Sequence, residues 1–149
     1  MAQLTGKTII ITGSSRGVGA DTAQILAAEG ANIVVNYRSK APRANKIVKA
    51  IEEAGGKAVA VQADVTKAED LQTLVNTAVE TFGSLDYLIL NASGGMETGM
   101  GEDYAMRLNR DAQLNLARLA AEKMPEGGRI VFVTSHQAHF IREVETMDE

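Results

Sequence analysis

Short apolar stretches and longer amphipathic segments alternate along this chain. The first apolar stretch, residues 7–12, is apolar on both faces, which is typical of a central strand in a parallel sheet. The longer segments carry apolar residues three and four positions apart, the spacing of a helix with one buried face. The predicted strands are residues 7–12, 32–37, 57–62, 86–90 and 129–134. The predicted helices are residues 18–29, a segment ending at 54, a segment from 67 to 82, and about 103–124.

Residues at the ends of the predicted helices have capping chemistry. Gly30, Gly55 and Gly83 each follow the last turn of a helix, a position where glycine is common. Thr66 and Glu69 have the three-residue separation of a capping box, in which two side chains bond the first N–H groups of a helix. We therefore expect Thr66 to cap the third helix.

The alternation of strand and helix, with short connections, predicts right-handed βαβ units and a parallel sheet covered on both faces. The expected fold class is α/β, a Rossmann-type doubly wound parallel sheet with five strand–helix units. A doubly wound sheet of two mononucleotide-binding halves has one strand more. Because the pattern stops after Ser135, we expect residues 1–149 to form one domain that lacks the C-terminal part of the fold.

Composition excludes several classes of protein and site. The formal net charge of −4 argues against nucleic acid as the main partner, because phosphate backbones attract basic surfaces. The chain has no cysteine, which excludes disulfides, thiolate nucleophiles and cysteine metal sites. The first residues lack the apolar core of a signal peptide, and no apolar run approaches the roughly 20 residues that span a bilayer. We expect a cytoplasmic protein without a membrane partner.

The first predicted strand leads directly into three glycines and then into a helix. Gly13 would permit the tight turn, Gly17 would let the backbone approach a ligand, and Gly19 would let the helix pack close to the strand. Free backbone N–H groups then meet the positive end of the helix dipole, which favours a phosphate or pyrophosphate. We predict a dinucleotide-binding domain whose loop contacts are Gly13, Ser15, Arg16, Gly17, Val18 and Gly19. The alternative is an ordinary strand-to-helix turn.

The residues after the second strand bear on the type of dinucleotide, because the ligand of an open parallel sheet lies across the carboxyl ends of its strands. The predicted contacts there are Tyr37, Arg38 and Ser39. An acid near this point would suit the ribose 2′-hydroxyl of NAD, and the chain has no acid between residues 30 and 52. Arg38 and Arg16, with Lys40 nearby, instead suit a 2′-phosphate. We therefore expect NADP(H) to be preferred over NAD(H), with a solvated basic loop as the alternative.

Further polar and small residues follow the other strands. The predicted cofactor contacts are Asp64 and Val65 after the third strand, and Asn91, Ala92 and Ser93 after the fourth. Asp64 could accept a hydrogen bond from the adenine amine, or it could simply mark the entry to the next helix. The small residues from 91 to 93 would let the backbone approach a ribose or nicotinamide. Ser135 supplies a hydroxyl where the fifth strand ends.

Together these motifs resemble the short-chain dehydrogenase/reductase family, including its 3-oxoacyl-carrier-protein reductase-like members. The matching residues, in order, are Thr12–Gly19 for T-G-x-x-x-G-x-G, Asp64-Val65 for the D-V pair, Asn91-Ala92 for the middle of N-N-A-G, Asn109 for the helix Asn, and Ser135 for the strand-end Ser. Leu90 and Ser93 replace the outer residues of N-N-A-G, a departure in the loop near the ribose.

The resemblance implies an NADP(H)-dependent oxidoreductase that transfers hydride between the nicotinamide and a carbonyl or alcohol substrate. By the same resemblance, Ser135 would hydrogen-bond the substrate oxygen, and Asn109 would support a proton relay. The family's Tyr-x-x-x-Lys motif is not found here, and family spacing places it at or beyond Glu149. We therefore expect the 149-residue chain to be inactive. The resemblance also implies a homodimer or homotetramer, because the family's counterpart of the long helix at about 103–124 pairs with that of a neighbour.

One alternative function and one candidate metal site have still to be considered. A non-catalytic nucleotide sensor or interaction protein could have kept the loop and lost the chemistry. His136 and His139 are three residues apart, but no Asp or Glu pattern joins them into a known ligand spacing, so we expect no metal site.

Overall fold

The computed structural model describes residues 3–15, 17–91 and 102–132, apart from the side chains of 102–110. Strand and helix alternate throughout these residues, as the sequence predicts. The elements are β1 Thr8–Ile11, α1 Gly17–Ala28, β2 Asn32–Tyr37, α2 Ala41–Glu53, β3 Lys57–Gln62, α3 Ala68–Phe82, β4 Tyr87–Leu90, α4 Glu102–Lys123 and β5 Arg129–Phe132. The bounds predicted for β2 and β3 are confirmed, and β1 is one residue shorter at each end. Residues 133 and 134 of the last predicted strand lie outside the described residues.

The described strands form one sheet in the order β3-β2-β1-β4-β5, and every neighbouring pair is parallel. In β1, Ile9 lies opposite Ile33 of β2 on one side and opposite Tyr87 of β4 on the other. Strands β2 and β3 are therefore added on one side of β1, and β4 and β5 on the other, so the strand order reverses between β3 and β4. The carboxyl ends of β1 and β4 flank this switch point, the place where open α/β sheets bind ligands.

Strand β1 is the centre of the core because both of its faces are covered. Its residues Ile9, Ile10 and Ile11 are all at most 2% exposed. Successive side chains of a strand point to opposite faces. Accordingly, Ile10 belongs to a cluster that contains Leu74 of α3, whereas Ile9 and Ile11 belong to a second cluster that contains Ile51 of α2. This arrangement confirms the predicted α/β fold, with helices on both faces of a parallel sheet.

The predicted cap of α3 is half right. At its C-terminal end Gly83 has φ +87° and donates its N–H to the Val79 carbonyl at 2.8 Å, as a glycine C-cap should. At the other end the prediction is wrong, because the N-cap residue is Lys67 and no side chain caps the helix. The Thr66 hydroxyl instead donates to Asp64 Oδ1 at 2.6 Å. A carboxylate two residues away is a charged acceptor, which outcompetes the capping role.

Helix α4 covers the sheet beside β4 and packs along α3. Ala112, Leu116 and Ala120 recur every four residues and are buried, so they form the inner face of its described part. Leu114 is 43% exposed on another face. Within the described parts of the chain, no helix is both long enough and apolar enough to cross a membrane.

Candidate functional site

Backbone hydrogen bonds join the carboxyl ends of four strands in two pairs, β1 with β4 and β2 with β3. The N–H of Thr12, just after β1, donates to the carbonyl of Ile89 in β4 at 3.0 Å. The N–H of Ala63, just after β3, donates to the carbonyl of Tyr37 in β2 at 2.9 Å. The residues that follow these strands therefore lie along one edge of the sheet, where the sequence places the candidate site.

The glycines of residues 13–19 have the geometry that such a loop needs. Gly13 and Gly17 have φ +62° and +61°, in the left-handed region that side chains disfavour. Gly19 lies so close to the strand ends that a Cβ there would be 2.5 Å from the Gly13 carbonyl oxygen and 2.6 Å from Asn91 Nδ2. The tight turn predicted at Gly13 and the close helix–strand packing predicted at Gly19 are therefore both present.

The first turn of α1 begins with two residues that face solvent beside this loop. Gly17 is exposed, and Val18 is 60% exposed. The turn contains no acidic residue, so no carboxylate neutralises the positive end of the helix dipole. Unpaired N–H groups at the start of a helix, next to a glycine turn, suit an anion such as a pyrophosphate.

Two buried polar side chains that the sequence interpretation missed hold the loop in place. Ser14 is fully buried; its hydroxyl donates to the Ile11 carbonyl at 2.7 Å and accepts the N–H of Asn36 at 3.0 Å. Asn36, 3% exposed, accepts the Gly13 N–H through Oδ1 at 3.0 Å. Its Nδ2 donates to the Ala63 carbonyl at 3.2 Å. The sequence carried a signal for Asn36, namely a polar residue near the end of an apolar strand. When such a residue is buried, it must find hydrogen-bond partners.

Asn91 supports the loop from the opposite side. Its backbone N–H donates to the Thr12 hydroxyl at 2.8 Å, and its side-chain Nδ2 donates to the Gly13 carbonyl at 3.3 Å. The side chain therefore contacts the loop, and the nearness to a ribose or nicotinamide that the sequence suggests for Asn91 stays a prediction. Ala92 and Ser93, which continue this segment, lie outside the described residues.

Asp64 and Arg38 lie near each other at the ends of β3 and β2. Asp64 Oδ2 is 3.8 Å from Arg38 Nε, and the exposed fractions of the two side chains are 21% and 62%. The other oxygen, Oδ1, accepts both the N–H and the hydroxyl of Thr66, at 2.9 and 2.6 Å. The hydroxyl bond of Thr66, followed by its N–H bond and the charges of Arg38 and Lys67, lowers the pKa of Asp64 despite partial burial. The carboxyl group is therefore ionised at neutral pH.

The remaining predicted residues fall into two groups. Tyr37 and Val65 are half-buried and pack against the two core clusters, while Ser39 is exposed and Ser15 is half-buried. Asn109 lies in α4, but its side chain is outside the described set. Also outside the described residues are Arg16, Ser135, His136 and His139.

Known proteins share this fold and much of this sequence. An uncharacterized oxidoreductase from Methylorubrum extorquens is 42% identical over 142 residues, which cover 91% of this chain and 57% of that protein. A short chain dehydrogenase from Burkholderia cenocepacia, solved in complex with NADP, is 38% identical in sequence and superposes with a TM-score of 0.77. The match covers 87% of this chain and 56% of that protein. A 7α-hydroxysteroid dehydrogenase complexed with NADH and 7-oxo glycochenodeoxycholic acid is 31% identical, with a TM-score of 0.77 and coverages of 90% and 55%.

The chain thus spans about half the length of the relatives it matches, as the shares of 57%, 56% and 55% state. The family model for short chain dehydrogenases matches residues 7–146, nearly the whole chain. This match confirms the resemblance carried by the glycine loop, the Asp-Val pair and the residues after β4. On this agreement of sequence and fold, the chain belongs to the short chain dehydrogenase family.

Proposed function

We propose that this chain is the coenzyme-binding part of an NADP(H)-dependent oxidoreductase that transfers hydride between the nicotinamide and a carbonyl or alcohol substrate. The observation that carries the proposal is the geometry at the switch point: two left-handed glycines, Gly13 and Gly17, and a first turn of α1 without an acid. This arrangement fits a pyrophosphate. The relatives compared above are named as an oxidoreductase and dehydrogenases, which favours an enzyme over a non-catalytic sensor.

In this proposal the residues that follow β1, β2 and β3 hold the adenosine half of the cofactor and its pyrophosphate. The backbone of residues 13–19 surrounds the pyrophosphate, and Arg38, with Ser39 and Arg16, receives the ribose 2′-phosphate. Asp64 receives the adenine amine through Oδ2, because Oδ1 is occupied by Thr66. The contacts assigned to Tyr37, Val65, Asn91, Ala92 and Ser93 belong to the same proposal.

The preference for NADP(H) rests on charge at the end of β2. The Arg38 guanidinium is 62% exposed there, within reach of a ligand that lies along the sheet edge. A bound 2′-phosphate would gain charge-assisted hydrogen bonds worth about 1.5–3 kcal/mol, or on the order of 10- to 100-fold in affinity. One relative was solved with NADP and another with NADH, so the family uses both cofactors.

The test compares dissociation constants of NADPH and NADH by isothermal titration calorimetry. We expect the chain to bind NADPH more tightly, and Arg38→Ala to remove most of the difference by weakening NADPH binding. Arg118→Ala is the matched control, because Arg118 is an exposed arginine on α4, away from the end of β2. Equal affinities in the unmodified chain would refute the cofactor preference.

The catalytic part of the proposal concerns residues outside the described set. The bound nicotinamide supplies the hydride chemistry. Ser135 would hold the substrate oxygen by a hydrogen bond, and Asn109 would support the proton relay to a Tyr-x-x-x-Lys pair that the 149 residues do not include. We therefore expect nucleotide binding without carbonyl-dependent NADPH oxidation by this chain. Turnover on a ketone substrate, followed through NADPH absorbance, would contradict the assigned need for the Tyr–Lys pair.

Substrate and assembly are further parts of the proposal. The 7-oxo bile acid in one relative is a ketone, which supports a small carbonyl substrate, while the likeness to 3-oxoacyl-carrier-protein reductases stays a prediction. Leu114, 43% exposed on α4, supports a homodimer or homotetramer formed through that helix. Light scattering of the purified protein tests this assembly, and a monomer at micromolar concentration would contradict it. The cytoplasmic location also stays a prediction.

A further inference from the structure

The two carboxylate oxygens of Asp64 have different partners: Oδ1 is held by Thr66, and Oδ2 lies beside Arg38. Two bonds from Thr66 hold Oδ1, and the Asp64 N–H donates to Asp70 Oδ2 at 2.8 Å. These bonds leave Oδ2 as the oxygen that faces Arg38, whose Nε lies 3.8 Å away. A ligand that uses Oδ2 therefore meets a carboxylate that already has a cation beside it.

Arg38 has a backbone that β3 holds and a side chain that is largely exposed. Its carbonyl accepts Gln62 Nε2 at 3.3 Å, and the preceding carbonyl of Tyr37 accepts the Ala63 N–H, so β3 holds this part of the chain. The side chain is 62% exposed, and the 3.8 Å separation from Asp64 is an ion pair without a short hydrogen bond. Exposed pairs of this kind are weak, so the guanidinium can exchange one anion for another at low cost.

From this geometry we infer that Arg38 and Asp64 form an exchangeable ion pair that couples recognition of the 2′-phosphate to recognition of the adenine. The inference rests on the proposed function. In the free chain Arg38 neutralises Asp64; a 2′-phosphate draws the guanidinium away and leaves Oδ2 to the adenine amine. Asp64 is thus a specificity-determining residue that holds back 2′-phosphate binding by competing for Arg38.

The coupling predicts directions of change in ligand affinity that independent contacts of Arg38 and Asp64 would not produce. Asp64→Asn keeps the size of the side chain and an oxygen for Thr66 but removes the negative charge. The affinity for a 2′-phosphate should then rise relative to that for a ligand without one. Arg38→Ala should weaken a 2′-phosphate ligand and strengthen a ligand without the phosphate, because Oδ2 is no longer shared. Each effect of the ion pair should be about 1.5- to 5-fold, the range for exposed pairs.

The experiment measures calorimetric dissociation constants of adenosine 2′,5′-bisphosphate and 5′-AMP, which probe only the adenosine half of the site. The four proteins of a double-mutant cycle are the unmodified chain, Asp64→Asn, Arg38→Ala and the double variant. We expect the preference for the bisphosphate to rise in Asp64→Asn, and this rise to vanish when Arg38 is also replaced. Glu69→Gln is the control, because it neutralises an exposed carboxylate in the first turn of α3.

The outcomes separate the inference from the proposed function. If Arg38→Ala lowers bisphosphate affinity but Asp64→Asn weakens both ligands equally, the function stands and the ion-pair exchange is refuted. The exchange is equally refuted if 5′-AMP binds no more tightly to Arg38→Ala. If the unmodified chain binds neither ligand, the proposed function fails and the inference fails with it. Circular dichroism of each variant establishes that it is folded before binding is compared.

Discussion

Replacing the buried amide of Asn36 by a carboxyl group should destabilise the chain more than the same replacement at Asn32, at the other end of β2. Asn36→Asp keeps the shape of the side chain and the acceptor for the Gly13 N–H. It removes the Nδ2 donor, which lies 3.2 Å from the Ala63 carbonyl and 3.5 Å from the Val61 carbonyl. A carboxylate oxygen would then face these carbonyl oxygens at a position that is 3% exposed.

The magnitude follows from the hydrogen bond that the amide donates to Ala63. A buried carbonyl without its donor costs about 1–3 kcal/mol. The protonated acid can still donate to Ala63, so the folded state favours protonation and raises the pKa of the new carboxyl group. Each unit of that rise adds about 1.4 kcal/mol of destabilisation once the group must ionise. Because the folded state binds the proton more tightly, stability falls as pH rises from about 4 through the raised pKa.

The assay is urea unfolding followed by far-UV circular dichroism at about pH 4.5 and about pH 7, on either side of the expected titration. Asn32→Asp is the matched control at the other end of β2, where the amide lies 3.5 Å from the Thr8 hydroxyl. We expect Asn36→Asp to lose under about 1 kcal/mol relative to this control at the lower pH, where the protonated acid still donates to Ala63, and about 1–3 kcal/mol or more at neutral pH. Equal unfolding free energies for the two variants at both pH values would refute the role assigned to Asn36.

Three other predictions use the same unfolding measurement. Gly19→Ala should cost about 1–3 kcal/mol by overpacking, since its Cβ would lie 2.5 Å from the Gly13 oxygen; an unfolding free energy unchanged from the unmodified chain would contradict it. Leu74→Ala, at a fully buried position of α3, should cost about 2–5 kcal/mol, and a loss under about 1 kcal/mol would show that this core is loosely packed. The lowered pKa of Asp64 predicts stability that is present above the ordinary value of 3.8 and lost as pH falls through the lower folded value. Asp64→Asn should therefore reduce the loss of unfolding free energy at acid pH. An unchanged loss would contradict this contribution of Asp64.

The sequence was most reliable where the signal is local. The apolar run at residues 7–12 predicted a central strand, and the structure places β1 there with its isoleucines buried on both faces. The spacing of Gly13, Gly17 and Gly19 predicted the loop, because only residues without a Cβ tolerate such backbone angles and close approaches. The error at Thr66 is also instructive, since the capping-box pattern ignored the carboxylate two residues earlier.

Hydrogen bonds between distant residues were beyond this kind of prediction. The amide of Asn36 reaches Gly13 across 23 residues, and the N–H of Asn91 reaches the Thr12 hydroxyl across 79. Nothing in the spacing of either residue states which strands are neighbours. Polarity at the end of an apolar strand marks Asn36 as a residue that needs partners, but the strand order supplies them.

Local patterns in the sequence were thus sufficient for the elements, the parallel α/β class and the glycine loop, because burial periodicity and backbone sterics act over a few residues. The order β3-β2-β1-β4-β5, the support of the loop by Ser14 and Asn36, and the approach of Arg38 to Asp64 emerged with the assembled fold. The physical reason is that these features depend on which strand ends become adjacent. Packing of the whole sheet makes that choice, and no local pattern encodes it.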